Sequence, residues 1–403
     1  MTQSSVAHRR LVVALFAVGL TLRLALLGVT PPFAAPDEAA HFRYIRYVAT
    51  HHALPIQHAR MGQTLDYEDY QPPLYYVVSA PVYVVGRRIA GNEIGALRAL
   101  RGSSLILWLM TFASAVVVVR RLRLEGTLPG LVGIALVALL PTYVGLSTEI
   151  NNDGLSVALS TAALAVAAGP IVRRSALVLG VLVGLALLAK LTAVSLVPTI
   201  VVLVLARRVP WREAALGAVA TALVLCPFAL RNIVTYGSVT AENVANIPYT
   251  WPDLSMAIHT VMRGIIPTFW STYGVANGVS AYAPIAQNLT VGLLVAWLWT
   301  ALTRWRHARV WLSTAAGSFI MAGACGSVVA VLLTVRFGLL YDQGQGRYLF
   351  PLLLPLGLAA GAALDGAGLS RLGRYRVPLC AFGMVVCAFC CVSIDIGSVG
   401  IIG

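Results

Sequence analysis

The chain is 403 residues long, 59% hydrophobic and only 11% charged, with a mean hydropathy of +0.82. A soluble domain carries about 25% charged residues, so the composition excludes one and reads as an all-α polytopic membrane protein. A net charge of +14 would suit a nucleic-acid binder, but the basic residues are scattered as pairs and triplets between apolar runs, which is the pattern of cytoplasmic loops.

Apolar runs of spanning length fall at 11–29, 103–119, 128–147, 155–171, 175–189, 191–206, 214–230, 289–303, 311–335, 348–364 and 377–395, about eleven transmembrane helices. The first follows His8-Arg9-Arg10 and contains Arg23. It is too long for the core of a signal peptide and reads as an uncleaved span. A twelfth run, 72–86, is ambiguous by hydropathy, and charge decides it. If it does not cross, Arg9/Arg10, Arg120/Arg121/Arg123, Arg173/Arg174, Arg207/Arg208/Arg212, Arg304/Arg306/Arg309 and Arg371/Arg374/Arg376 all fall on one side. If it crosses, only the first pair stays inside. The positive-inside rule therefore lays 72–86 along the outer surface, where its Gln71-Pro72-Pro73-Leu74-Tyr75-Tyr76 start suits an interfacial helix. The expected organisation is one domain over 1–403. Its N-terminus is cytoplasmic and its C-terminus outside. The first outer loop, 30–102, carries interfacial helices, and a second large outer loop covers 231–287. No internal repeat of the kind found in many transporters is evident. The six cysteines all lie inside apolar runs, and Cys387-x-x-Cys390, with no His or second pair beside it, reads as small apolar packing.

The acidic pair in Pro36-Asp37-Glu38-Ala39-Ala40-His41 follows the first span. Carboxylates are costly in hydrocarbon, ~3 kcal/mol each at the bilayer centre, so a pair at the mouth of a span invites a use. With Pro36 at the first helical position, Asp37 and Glu38 fall in the first turn, where the dipole favours the ionised form, and His41 shares the face of Asp37. The functional reading is a general base at the membrane surface; an ordinary acidic helix start is equally compatible with the spacing. Thr148-Glu149-Ile150-Asn151-Asn152-Asp153-Gly154 reads as a turn and N-cap, or as the place where Glu149, Asn152 or Asp153 meets the Asp37 helix. Lys190, the only lysine, either snorkels or faces a cavity as a phosphate ligand. Arg231 opens the second loop. Arg347 follows Gln343-Gly344-Gln345-Gly346, and two glycines before an arginine at a helix start leave backbone N–H groups free for a phosphate. Tyr236, Tyr249, Trp251, Phe269, Trp270, Tyr273 and Tyr282 of the second loop read as an interfacial belt, or as stacking partners for a sugar or lipid.

In this order, Asp37-Glu38 after the first span, Gln71-Pro72-Pro73-Leu74-Tyr75-Tyr76 later in the same loop and an acidic residue in the second outer turn resemble the GT-C superfamily of glycosyltransferases that use polyprenyl-phosphate sugars. Protein O-mannosyltransferases and the aminoarabinose transferase of lipid A are members. Glu149-Ile150-Asn151-Asn152-Asp153, Arg231-Asn232-Ile233-Val234-Thr235-Tyr236-Gly237, Phe269-Trp270-Ser271-Thr272-Tyr273-Gly274 and Gln345-Gly346-Arg347-Tyr348-Leu349-Phe350-Pro351 resemble its bacterial DUF2142-like branch. The resemblance implies a GT-C fold and catalysis by Asp37 with inversion at the sugar. It implies a donor site drawing on Glu38, His41, Glu149, Asn152, Asp153, Lys190, Arg231, Arg347 and Tyr348. The partners would be a polyprenyl-phosphate sugar, a glycan, lipid or protein acceptor and membrane lipids, with no nucleic acid. The setting would be the outer face of a bacterial cytoplasmic membrane. Some relatives carry an acidic residue or His where this chain has Gln71, which counts against a divalent metal. A transporter or flippase of a lipid-linked sugar, or a non-catalytic envelope scaffold, would use the same charges without chemistry at Asp37.

Overall fold

The computed structural model describes residues 3–58, 64–245, 248–270, 275–276, 279–280, 283–303 and 310–366. The apolar run 377–395, the 371–376 arginines, Cys387, Cys390, Tyr273 and Tyr282 lie outside these residues. The helices are α1 (Gln3–Val29), α2 (Glu38–His51), α3 (Leu74–Ala90), α4 (Glu93–Arg121), α5 (Leu128–Leu139), α6 (Pro141–Leu146), α7 (Asp153–Ala167), α8 (Arg173–Ala189), α9 (Leu196–Ala206), α10 (Trp211–Tyr236), α11 (Glu242–Ala245), α12 (Leu254–Trp270), α13 (Ala283–Thr303), α14 (Ala315–Tyr341) and α15 (Leu353–Gly366). A two-residue ladder, Val275–Ala276 against Val279–Ser280, is the β-structure among the described residues.

Among the described residues, five helical stretches are long and apolar enough to cross a membrane: His8–Val29, Glu93–Arg121, Trp211–Tyr236, Ala315–Tyr341 and Gly346–Gly366. Three further apolar helices are shorter, Leu128–Leu139, Asp153–Ala167 and Leu191–Ala206. Hydropathy counts apolar residues, not helical continuity, and the run at 128–147 breaks where Leu140 turns extended (φ −60°, ψ 117°) before Pro141. The break leaves the last carbonyls of α5 without helical partners. Arg23 of α1 satisfies them. It donates to Ala138 O (2.7 Å), and to Ser147 Oγ (2.7 Å) beyond the break. Its guanidinium lies 4.2 Å from the centre of the Trp108 ring, so a fully buried charge in the first apolar run is a helix cap stacked on an aromatic face.

The main core joins α1, the second half of α4, and α5 through α9 to α14 and α15. Close helix contact depends on small residues, as expected where lipid offers no hydrophobic drive between helices. The clearest case is α8 against α10, where a Cβ on Gly180 would come within 2.1 Å of the Gly217 carbonyl oxygen. A second core of Phe42, Tyr44, Ile45, Tyr75, Tyr76 and Tyr83 packs α2 and α3 onto the first turns of α4. Tyr44 and Tyr76 stack at 3.6 Å.

The expected interfacial segment 72–86 is thus the 17-residue helix α3, with Pro81 inside it. Gly91 ends it with φ 71°, a conformation that strains any residue with a Cβ, so a topology probe belongs on the preceding turn. Ile89 is 82% exposed. In a background lacking the native cysteines, Ile89→Cys is expected to react with a membrane-impermeant maleimide added outside sealed cells. Labelling only after the cytoplasmic face is opened would restore the segment as a span.

Candidate functional site

Helix α2 begins at Glu38, two residues later than the sequence suggests. Asp37 is its N-cap residue, in the left-handed region at φ 61°, and its side chain makes no cap hydrogen bond. Asp tolerates this region better than most residues, yet such strain persists only where the surroundings impose it. The surroundings are visible here. Tyr67 Oη donates to Asp37 Oδ1 at 3.0 Å and Arg347 Nη2 donates to Oδ2 at 2.9 Å. The carboxylate is thus turned away from its own helix and held between the first loop and the chain just before α15.

Arg347 sits in a 3-10 turn, Gly346–Leu352, that runs into α15. Its Nη1 is 3.9 Å from Asp153 Oδ2, the first residue of α7, and Lys190 Nζ donates to the same oxygen at 2.7 Å. Lys190 occupies the extended corner between α8 and the 3-10 turn Leu191–Ser195, and its Nζ lies 5.7 Å from the Tyr348 ring centre. The expected spans 175–189 and 191–206 are therefore separated by a polar corner, and α7 begins and α8 ends at the site. Short helices inside a bundle leave room for charges that full spans would exclude. The glycine before Arg347 has a packing reason: a Cβ on Gly346 would lie 2.3 Å from the Phe269 nitrogen. Its N–H is not free, since it donates to Thr268 Oγ1 at 2.8 Å.

The resulting chain of charges is Lys190, Asp153, Arg347, Asp37, two positive and two negative. Lys190, Arg347 and Asp37 line a cavity of about 200 Å³, while Asp153 holds the two cations from outside its lining. His41, Tyr67, Glu68 and Gln71 line one side, and Ala330, Leu333, Thr334 and Phe337 of α14 form a mainly apolar wall that also carries Arg336. His41 Nδ1 is 2.9 Å from Tyr76 Oη. Burial drives its pKa down to about 4, against the opposing pull of Asp37, so the imidazole is neutral at pH 7. Burial alone would raise Asp37. Arg347 and His41, with the hydrogen bonds from Arg347 and Tyr67, outweigh it and hold the carboxyl at about 2. Burial and the neighbouring Asp37 raise Glu68 to about 8, against Lys190 and Arg347. Its Oε2 is buried and has no hydrogen-bond partner among the described residues.

The structure brings together Asp37, His41, Asp153, Lys190, Arg347 and Tyr348. Asn152 stands beside them through its amide, which donates to Gln71 Oε1 at 3.3 Å. Three other expected residues do not line the cavity. Glu38 is fully buried and bound bidentately by Arg101, with Nε to Oε1 at 2.7 Å and Nη2 to Oε2 at 2.6 Å. Arg101 also donates to the carbonyls of Thr30 and Pro31, so this pair fastens the exit of α1 to α2 and α4. Glu149 is buried, its carbonyl accepting from Ser104 Oγ at 2.7 Å. Arg231 donates to the Pro55 carbonyl and to Asn232 Oδ1, tying the end of α10 to the segment after α2. The described aromatics of the second loop also act elsewhere: Tyr236 Oη accepts from the Gln57 N–H and Trp251 Nε1 donates to the Leu339 carbonyl.

Sequence reasoning missed Tyr67 and Glu68. Their signal is Asp66-Tyr67-Glu68-Asp69-Tyr70, three carboxylates just before Gln71-Pro72-Pro73. The segment is held in place by an ion pair between Arg43 and Asp69. Among the described residues, no group of three or more His, Cys, Asp and Glu side chains is placed to hold a metal ion, and both Asp37 oxygens already have partners.

No family model matches the chain, and no curated protein matches it in sequence. Solved structures do match it in fold. ArnT from Cupriavidus metallidurans bound to undecaprenyl phosphate aligns at TM-score 0.53 and 19% identity, over 88% of this chain and 60% of that one. Its apo form aligns at 0.54 and 18%, over 89% and 60%. The apo oligosaccharyltransferase of Archaeoglobus fulgidus aligns at 0.58 and 13%, over 97% and 56%. The chain thus spans less than two thirds of the length of these neighbours, and at such identity the likeness is one of fold: an all-α, multi-pass membrane protein with the helical architecture of these neighbours.

Proposed function

We propose that the chain is a membrane glycosyltransferase that moves a sugar from a polyprenyl-phosphate donor to an acceptor hydroxyl on the outer face of a bacterial cytoplasmic membrane. The observation that carries this reading is the chain of Lys190, Asp153, Arg347 and Asp37 at a cavity with one apolar wall. A phosphodiester on a long hydrocarbon tail needs that pairing of cations and apolar surface, and the neighbour solved with undecaprenyl phosphate shares the fold.

The four charges sum to zero at rest, so an incoming phosphate competes with the two carboxylates for Arg347 and Lys190. Arginine suits this exchange because its fork can leave a carboxylate and grip two phosphate oxygens. Once Arg347 turns to the phosphate, Asp37 loses its strongest partner and its proton affinity rises. The base is thus weak while the site is empty and stronger when the donor is present. Asp37 then accepts the proton of the acceptor hydroxyl as that oxygen bonds to the anomeric carbon and the bond to phosphate oxygen breaks. Arg347 and Lys190 stabilise the charge on the departing polyprenyl phosphate. Tyr67 keeps Asp37 oriented throughout.

Purified protein given a panel of polyprenyl-phosphate sugars is expected to consume one of them and release free polyprenyl phosphate, followed by mass spectrometry. A transporter of the same lipid would leave every glycosidic bond in the panel intact.

A further inference from the structure

Helix α4 passes the Asp37 end of the bundle at Arg101, α7 and α9 start there, at Asp153 and just beyond Lys190, and all three run to the opposite end. There a second cavity of about 1500 Å³ opens between the ends of these helices and the beginnings of α8, α10 and α14. Five arginines line it: Arg121, Arg123, Arg174, Arg207 and Arg208. Two have structural duties. Arg121 Nη1 donates to the Ala165 carbonyl at 2.7 Å, and Arg207 donates to the carbonyls of Ala167 and Gly169, so both cap the end of α7. The other three, Arg123, Arg174 and Arg208, make no ion pair among the described residues. No carboxylate is among the lining residues.

Two further features point to an anion. Arg174 lies in the first turn of the 17-residue α8, where the helix dipole already presents positive charge and a cation is disfavoured without a counter-ion. The 27-residue α14 also begins at this cavity, adding a second positive helix end. The remaining walls are mainly apolar, from Leu122, Ile171, Val178, Val209 and Leu312, and the hydroxyls of Ser175, Ser313, Thr314 and Ser318 among them donate to backbone carbonyls. A small hydrophilic anion has no use for those walls, whereas a phospholipid headgroup with its first acyl carbons fits both the arginines and the walls.

We propose that this cavity binds the phosphodiester headgroup of an anionic phospholipid, held by Arg123, Arg174 and Arg208. Basic pockets between helices are the usual seat of such lipids. The bound lipid bridges the α4–α5, α7–α8 and α9–α10 connections to the start of α14 and is separate from the Asp37 site.

The test is native mass spectrometry of the detergent-purified protein titrated with palmitoyl-oleoyl phosphatidylglycerol, with the zwitterionic phosphatidylcholine of the same chains, and with inorganic phosphate. The protein is expected to retain phosphatidylglycerol over phosphatidylcholine, and millimolar phosphate should not displace it. The triple variant Arg123→Gln, Arg174→Gln, Arg208→Gln should lose ~10²-fold in phosphatidylglycerol affinity, while the corresponding triple lysine variant keeps most of it. Thermal unfolding of both variants checks that they are folded. Equal retention of the two lipids, unchanged binding by the folded glutamine variant, or displacement by phosphate alone would each overturn the lipid site, the last in favour of a free-anion site.

Discussion

Arg101→Ala is expected to destabilise the protein by ~3–5 kcal/mol, the usual consequence of removing one partner from a buried ion pair. The expectation follows from what Glu38 would lose. Its Oε1 accepts from Arg101 Nε and from the Ile150 N–H, and its Oε2 accepts from Arg101 Nη2. Without the guanidinium a carboxylate with no exposed surface keeps one donor at 3.3 Å, the Thr30 carbonyl loses the arginine, and the Pro31 carbonyl keeps the Ala34 N–H at 3.3 Å. Lysine cannot substitute, because a point charge cannot meet two carboxylate oxygens and two carbonyls at once. Replacing both partners with apolar residues, Glu38→Leu with Arg101→Met, should recover much of the loss, since no charge is then stranded. Reversible unfolding in mixed micelles measures all three variants. A loss below about 1 kcal/mol in Arg101→Ala would show that the pair does not hold the first loop.

Asp37→Asn is expected to fold normally and bind donor, yet turn over at least ~10²-fold more slowly, the lower end of what a general base contributes. Asparagine keeps the size of the side chain; its one carbonyl oxygen can still accept from Arg347, and its amide then donates to the Tyr67 hydroxyl. It cannot accept the proton of an attacking hydroxyl. The folded state should lose little, because the Asp37 carboxylate is partly exposed where it meets Arg347. Donor affinity measured beside turnover separates the roles: a change in binding alone would make Asp37 a positioning group for Arg347, and near-normal turnover would remove it from the mechanism.

Much of this site could be read in the sequence because its residues sit where apolar runs end. Asp37, Asp153, Lys190 and Arg347 each interrupt or border a run, and charge in such places is costly enough to be noticed. What the sequence could not give was side-chain direction. Arg231 and Arg347 look alike as arginines at the edge of a run, but the tertiary fold takes the first to the Pro55 carbonyl and the second to Asp37. Glu38 was read as companion to Asp37, yet adjacent residues on a helix start point apart, and its partner Arg101 lies 63 positions away in α4. Tyr67 and Glu68 lie in an irregular loop with no period to place them. Hydropathy also hides breaks: Pro141 and Lys190 cost little in a hydropathy average and much in a backbone, so the run at 128–147 is interrupted and 175–189 is parted from 191–206 by a polar corner.

The account rests on a one-step displacement by a hydroxyl that Asp37 deprotonates. The most direct measurement is the anomeric configuration of the transferred sugar, read by NMR of the product formed from a donor of defined configuration. The account predicts inversion. Retention would mean two displacements and a covalent sugar on the protein, which contradicts a base role for Asp37.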